Sequence, residues 1–277
     1  MSRGKSKAAN RTPTTTLATT TSGHTTIAAE HAAILQNLAS KCHSRGTLLS
    51  SRYPTGTPTA PASTPKVEKR KIVAIDCEMV GIGPTNTSYL GQIVAVDVLT
   101  GETILDICVN PPESITSWRT RYSGLSPSTF KTYGARNRLV RGVQGAQAAL
   151  FRLIDRDTIL VGHALQNDLV ALNMVHLRCV DTQIVTKEAV AAAAGREPCR
   201  VWGLRKLAEV FLGRRIQGGQ HDCAEDTRAT RDLLLACTDE ARLREWAEVE
   251  ARIQTNFPTD RGNFSDNEGY DDVGDFL

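Results

Sequence analysis

No acidic residue precedes Glu30, no Cys-x-x-Cys pair occurs, and no apolar run approaches the roughly 18 residues of a membrane-crossing helix. Aromatic residues are also scarce, at 5% of the 277. These absences exclude whole classes. Without a long apolar run, and without a hydrophobic signal segment after Met1, the chain is expected to be soluble and to have no membrane partner. The seven cysteines (Cys42, Cys77, Cys108, Cys179, Cys199, Cys223 and Cys237) are odd in number and scattered. They read as reduced thiols of an intracellular protein and give a structural zinc site little support. His24, His31, Cys42 and His43 lack the spacing of a zinc finger. A hydrophobic content of 40% suffices for a core in one or two domains.

The net charge of +3 is unevenly placed. Residues 1–71 hold eleven Lys/Arg against two Glu, giving +9, so the remainder carries −6. From Thr255 onward one Arg faces six acids. Three parts are therefore expected. Residues 1–67 read as a basic, Thr/Ser/Pro-rich, mostly disordered arm with one possible helix over 26–41, bearing Ile27, Ile34, Leu35 and Leu38. Residues 68–254 read as the folded domain, and 255–277 as an acidic disordered tail. A basic arm suits a polyanion such as nucleic acid and a nuclear or nucleolar address. The acid-free start also resembles a mitochondrial transit peptide, so a mitochondrial or cytoplasmic location is the alternative.

Within the domain, Ile72, Val73, Ala74 and Ile75 form the short apolar run of a buried strand. Strand-like runs over 89–98 and 103–109 follow, divided by the turn Leu99-Thr-Gly-Glu102, so three antiparallel strands are expected first. Helices are expected over 142–155, from Asn167, and over 184–194, 202–212 and 224–238. The last continues to 253 after a break. Short strands at 158–161 and 178–181 fall between them. Leading strands followed by alternating helices and strands predict an α/β mixed sheet with flanking helices.

Asp76 and Glu78 close the first strand. Side chains two apart on a strand share a face, so this pair projects together from an apolar element. Mutual repulsion and desolvation there would be relieved by hard divalent cations, which take carboxylate oxygens. Cys77, between them, points the other way and reads as core. Asp168 and Asp226 each sit in the first turn of an expected helix. Taken singly, they are as simply read as acids favoured by the helix dipole, and Asp76 and Glu78 as surface acids. His221 lies in the loop Gly218-Gly-Gln-His221.

Taken together, Asp76-Cys-Glu-Met-Val-Gly-Ile-Gly-Pro84, Val161-Gly-His-Ala-Leu-Gln-Asn-Asp168 and His221-Asp-Cys-Ala-Glu-Asp226 resemble the three motifs of DEDDh 3′→5′ exonucleases. With Trp118-Arg-Thr-Arg-Tyr-Ser-Gly124, the pattern is similar to the RNA exonuclease 4 and interferon-stimulated RNA exonuclease branch. The resemblance spans about residues 71–237. It implies a ribonuclease H-like fold and two divalent cations, Mg²⁺ or Mn²⁺, held by Asp76, Glu78, Asp168 and Asp226. It makes His221 the general base of phosphodiester hydrolysis. It implies RNA as substrate, in ribosomal or other RNA processing. Single-stranded DNA is the alternative within enzymes, and a silent RNA-binding scaffold the alternative outside them. Met79 and Arg119 are the implied contacts to the terminal nucleotide; Met79 reads equally well as core filler. His163 and Asn167 are expected to support the site. One departure is Leu90-Gly-Gln-Ile93, where the branch carries an arginine.

Overall fold

The computed structural model describes residues 21–64 and 68–255. In chain order the elements are α1 (Thr21–Ser40), α2 (Arg45–Ser50), β1 (Ile72–Ile82), β2 (Thr87–Asp97), β3 (Thr103–Asn110), β4 (Ile115–Ser117), α3 (Thr120–Ser123) and α4 (Pro127–Ala135). There follow β5 (Leu139–Arg141), α5 (Gly142–Leu150), β6 (Ile159–Gly162), α6 (Gln166–Ala171), β7 (Cys179–Asp181), α7 (Thr182–Ala194), α8 (Leu204–Leu207), α9 (Cys223–Ala236) and α10 (Glu240–Thr255).

The strands form one mixed sheet in the order β5-β3-β2-β1-β6-β7, with β4 added beside β1. β1, β2 and β3 are antiparallel, as their alternation and the Leu99–Glu102 turn predict. β6 and β7 run parallel to β1 and to each other, as strands joined through helices do. β1 shows why the sheet needs two covering layers. Val73, Ile75 and Cys77 join one core with Leu150 of α5, Leu165 just before α6 and Leu169 within it. Ile72 and Ala74, one residue out of phase, join another with Leu38 of α1 and Leu234 of α9. A third core lies among α7 to α10, where Trp202 and Phe211 each meet Trp246 edge to face.

Three expectations need correction. Residues 202–212 were expected to be one helix; instead α8 passes at once into a π-helical turn, Ala208–Leu212. Arg242 donates to the Phe211 carbonyl of that turn at 2.7 Å. No strand was expected between 109 and 142, yet Leu139–Arg141 forms β5, pairing with β3 at the sheet edge. The largest difference concerns the N-terminal part. Residues 1–20, 65–67 and 256–277 lie outside the described residues, and with them most of the acidic tail and the start of the basic arm. Residues 26–64, however, are packed on the domain. Leu38, Leu48, Tyr53 and Ala60 are all buried, while Ile27, further out on α1, is exposed. The folded unit is thus larger than residues 68–254. Among the described residues, no helix is long and apolar enough to cross a membrane, and all seven cysteines are free.

Candidate active site

The site is built where two helices begin against the middle of β1. Asp76 and Glu78 do not close that strand, as the sequence led us to expect, because it runs on to Ile82; α6 and α9 bring Asp168 and Asp226 in their first turns. α9 starts at Asp222, whose carboxylate accepts from the Ala224 and Glu225 backbone N–H groups at 2.9 and 3.1 Å. That cap fixes the helix start directly after His221. One turn before Asp226, and so on the same helix face, the Cys223 thiol donates to the Asp76 backbone carbonyl at 3.2 Å. This contact ties α9 to β1 at the level of the acids.

Ligand atoms of Asp76, Glu78 and Cys223 lie within 4.8 Å of one another, as do those of Glu78, His221 and Asp226. Glu78 belongs to both groups. His221 Nδ1 is 3.5 Å from Asp226 Oδ2, which also accepts from Gln217 Nε2 at 2.8 Å. Asp226 Oδ1 is buried with no hydrogen-bond partner among the described residues. Asp168 stands close enough to charge Asp76 unfavourably, and its carboxylate meets the Cys77 thiol on the other face of β1.

Burial and crowding disturb every one of these groups. Asp76 is held well above the carboxylate range by burial and then by the charges of Asp168, Glu78 and Asp226. Glu78 is pushed up to about 9, by burial first and then by Asp226 and Asp168. Burial raises Asp168 to about 8. Asp226 reaches about 6, burial outweighing the hydrogen bond from Gln217. Partial burial lowers His221, which favours the uncharged imidazole. Four carboxylates this close cannot all ionise unless positive charge is supplied. The oxygen-rich donor set, and a buried carboxylate oxygen without a donor, fit hard divalent cations.

Asp76, Glu78, Asp226 and His221 are therefore together, and Asp168 lies outside these two groups, close enough for its charge to act on Asp76. Met79 is half-buried against the core beside Glu78, just where the β1–β2 register slips by one residue. The extra residue on β2 is Gly91, inside the Leu90–Ile93 stretch where the resemblance led to the expectation of an arginine. A Cβ there would lie 2.7 Å from Leu125 Cδ1. Arg119 has a left-handed backbone, with φ 47°. Its guanidinium donates to Ser88 Oγ and the Asn86 carbonyl, both at 3.2 Å, so these partners are on the β1–β2 turn rather than among the acids. His163 Nδ1 pairs with Thr182 Oγ1 at 2.9 Å, and Asn167 is exposed.

Sequence reasoning passed over four further residues. Cys223 carried a signal, its one-turn spacing from Asp226. Gln217 and Asp181 carried none, since their partners are set by loop placement. Gly124 was visible only as part of a motif. In space its left-handed backbone lies under the His221 loop, and a Cβ on it would sit 2.3 Å from the His221 carbonyl oxygen.

Comparison with known proteins finds RNA exonucleases among those the chain is similar to. RNA exonuclease 3 of Candida albicans is 35% identical over 175 residues, covering 62% of this chain and 39% of that protein. RNA exonuclease 4 of Gibberella zeae is 41% identical over 170 residues, covering 60% of this chain and 49% of that protein. The chain thus spans half or less of the length of these two relatives. Among solved structures, the Neurospora crassa Pan2 catalytic unit superposes with a TM-score of 0.56 at 19% identity, over 73% of this chain and 34% of that one. The Saccharomyces cerevisiae Pan2 pseudoubiquitin hydrolase–RNA exonuclease module, solved with AAGGAA RNA, does so with a TM-score of 0.56 at 23% identity, over 77% and 37%. At such identities the likeness speaks for the fold, which is ribonuclease H-like. Residues 73–234, more than half of the chain and including all five acid and base residues, match the sequence profile of the exonucleases, RNase_T; the chain belongs to that exonuclease family.

Proposed function

We propose that this chain is a metal-dependent exonuclease that shortens RNA from its 3′ end by hydrolysis. The observation that carries the reading is the gathering of Asp76, Glu78 and Asp226, with the charge of Asp168 acting on the first two, beside a half-buried histidine at 3.5 Å from Asp226. That RNA is the substrate is supported by the relatives named RNA exonucleases.

Asp76, Glu78, Asp168 and Asp226 would hold two divalent cations, Mg²⁺ or Mn²⁺. Such ions, when bound, stabilise the charge that builds on the attacking and leaving oxygens of a phosphodiester. The chain's own part is proton transfer and placement. With Nδ1 toward Asp226, the His221 imidazole offers Nε2 to take the proton of the attacking water. Partial exposure of the ring, at 35%, lets water reach it. Gln217 and Cys223 keep Asp226 and the backbone of Asp76 in place, and Met79 and Arg119 would contact the terminal nucleotide, Arg119 after leaving its partners Ser88 and Asn86.

A time course on 5′-labelled RNA and matched single-stranded DNA, with Mg²⁺, Mn²⁺ or EDTA, tests the proposal. The expected result is a metal-dependent ladder on RNA, faint on DNA. An equal or stronger ladder on DNA would make the enzyme a DNA exonuclease. RNA binding without a ladder would make it a silent scaffold. We extend the proposal to ribosomal or other precursor RNA in the nucleus or nucleolus, supported by the basic N-terminal stretch. Imaging the tagged full chain tests the location, and a mitochondrial or cytoplasmic signal overturns it.

A further inference from the structure

β7 is an edge strand, and an edge leaves backbone groups to be satisfied. Here residues 43–61 run along it. The His43 backbone N–H donates to the Cys179 carbonyl at 2.9 Å, and the His43 ring nitrogen Nε2 accepts from the Asp181 N–H at 2.8 Å. Further along, Thr59 N–H donates to the Val175 carbonyl at 3.0 Å, and Thr59 Oγ1 accepts from Val175 N–H at 2.8 Å. Arg156 closes the path, its backbone N–H on the Pro61 carbonyl and its Nε on that of Ala60, both at 3.0 Å. The segment is a strap bonded at both ends.

At its centre stands Asp181, the last residue of β7, with 0% exposure. A buried carboxylate needs donors, and this one has four. Gln183 N–H, in the helix it caps, donates to Oδ1 at 2.8 Å. Ala164 N–H reaches Oδ1 at 3.1 Å and Leu165 N–H reaches Oδ2 at 2.9 Å. The fourth is the Tyr53 hydroxyl of the strap, 2.5 Å from Oδ2. Ala164 is in the left-handed region, with φ 55°, a conformation that costs a non-glycine residue energy and needs outside support. The same short loop begins α6: the Leu165 carbonyl accepts from Leu169 N–H and the Ala164 carbonyl from Asn167 N–H. Asp168 lies between those two acceptor turns.

We propose that Tyr53 is a positioning residue: through Asp181 it clamps the Ala164–Leu165 loop and so sets the Asp168 carboxylate in the metal-binding cluster. The N-terminal strap is then a working part of the site rather than an appendage. The link to cations rests on the exonuclease reading above, whereas the clamp itself does not.

The test uses the full chain, Tyr53→Phe, and Leu48→Ala as a variant that loosens the strap without touching Asp181. Amide hydrogen exchange is measured without metal or RNA, comparing Ala164 and Leu165 with Ile93 and Val94 in the middle of the sheet. Bound Mn²⁺ is then titrated by its electron paramagnetic resonance signal. Losing one hydrogen bond to a charged group should speed exchange at Ala164 and Leu165 by about tenfold or more, leaving Ile93 and Val94 unchanged. It should also weaken Mn²⁺ binding, while Leu48→Ala, which loosens the core that Leu48 shares with Ile93, shifts all four amides together. Exchange at Ala164 and Leu165 that moves only in step with Ile93 and Val94 would overturn the clamp. Faster exchange with an unchanged Mn²⁺ isotherm would overturn its connection to Asp168. Both readouts are independent of turnover, so they decide the clamp even if no ladder on RNA is ever seen.

Discussion

Gly124 offers a direct way to move the proposed base without touching it. A methyl group at this position would sit 2.3 Å from the His221 carbonyl oxygen, whereas carbon and carbonyl oxygen ordinarily approach to about 3.3 Å. Gly124→Ala must therefore displace the His221 backbone by about 1 Å, or shift α3 by the same amount. The left-handed φ of 63° adds a backbone cost of ~1–2 kcal/mol. Gly195 separates these effects, because it has φ 64° and open space around its Cβ. Gly195→Ala should lower the melting temperature by about 2–8 °C, a ~1–2 kcal/mol loss in a chain of this size, and leave the rate alone. Gly124→Ala should show at least that loss of stability, together with a fall in kcat of about 100-fold, the scale of a 1 Å misplacement of a catalytic group. The assay is single-turnover degradation of 5′-labelled RNA with saturating Mg²⁺, beside thermal melts of both variants. A Gly124→Ala enzyme within twofold of the wild-type rate would refute the placement of His221 as base, and so would an equal rate loss in Gly195→Ala.

The remaining predictions concern the acids, the protons and the strap. Asp76→Asn should abolish turnover, and a near-normal rate would remove it from the metal ligands. His221→Ala should lose ~10²–10⁴-fold in rate with Mn²⁺ binding retained; an unchanged pH–rate profile would speak against proton transfer. Glu78 and Asp168, raised to about 9 and about 8 in the fold, bind protons that the unfolded chain has already released. Metal-free stability should therefore fall as pH rises from about 4 to 9, and Mg²⁺ should restore it, since cations bind the deprotonated acids. Flat melting temperatures in EDTA across that range would contradict the crowding of the acids. Deleting residues 1–64 removes buried Leu38, Leu48 and Tyr53, each worth ~1.5–3 kcal/mol, and should unfold or strongly destabilise the domain. Deleting residues 1–20 instead should weaken RNA binding mainly at low salt; affinity equal to the full chain at every salt concentration would take the basic stretch out of the substrate account.

Much of the site was legible in one dimension. The two-residue period of β1 placed Asp76 and Glu78 on a common face and Cys77 on the opposite one. The leading strands, their turn at Leu99–Glu102 and the helices bearing Asp168 and Asp226 followed from apolar runs and turn residues near one another in the chain. Those signals are local, and strand and helix periods express them directly. Other features depended on partners far away in sequence. Residues 43–61 have too few apolar side chains, too irregularly spaced, to declare a packed segment; they are ordered by the edge of β7 and by a carboxylate 128 positions from Tyr53. Gly91 looks like a weakness in a strand until the register slip beside Met79 and the approach of Leu125 are seen. Gly124 carries no chemistry until the His221 loop lies across it. Periodicity could say which face each acid occupies, but only closure of the chain onto itself determined what crowds them, what raises their affinity for protons, and what holds them still.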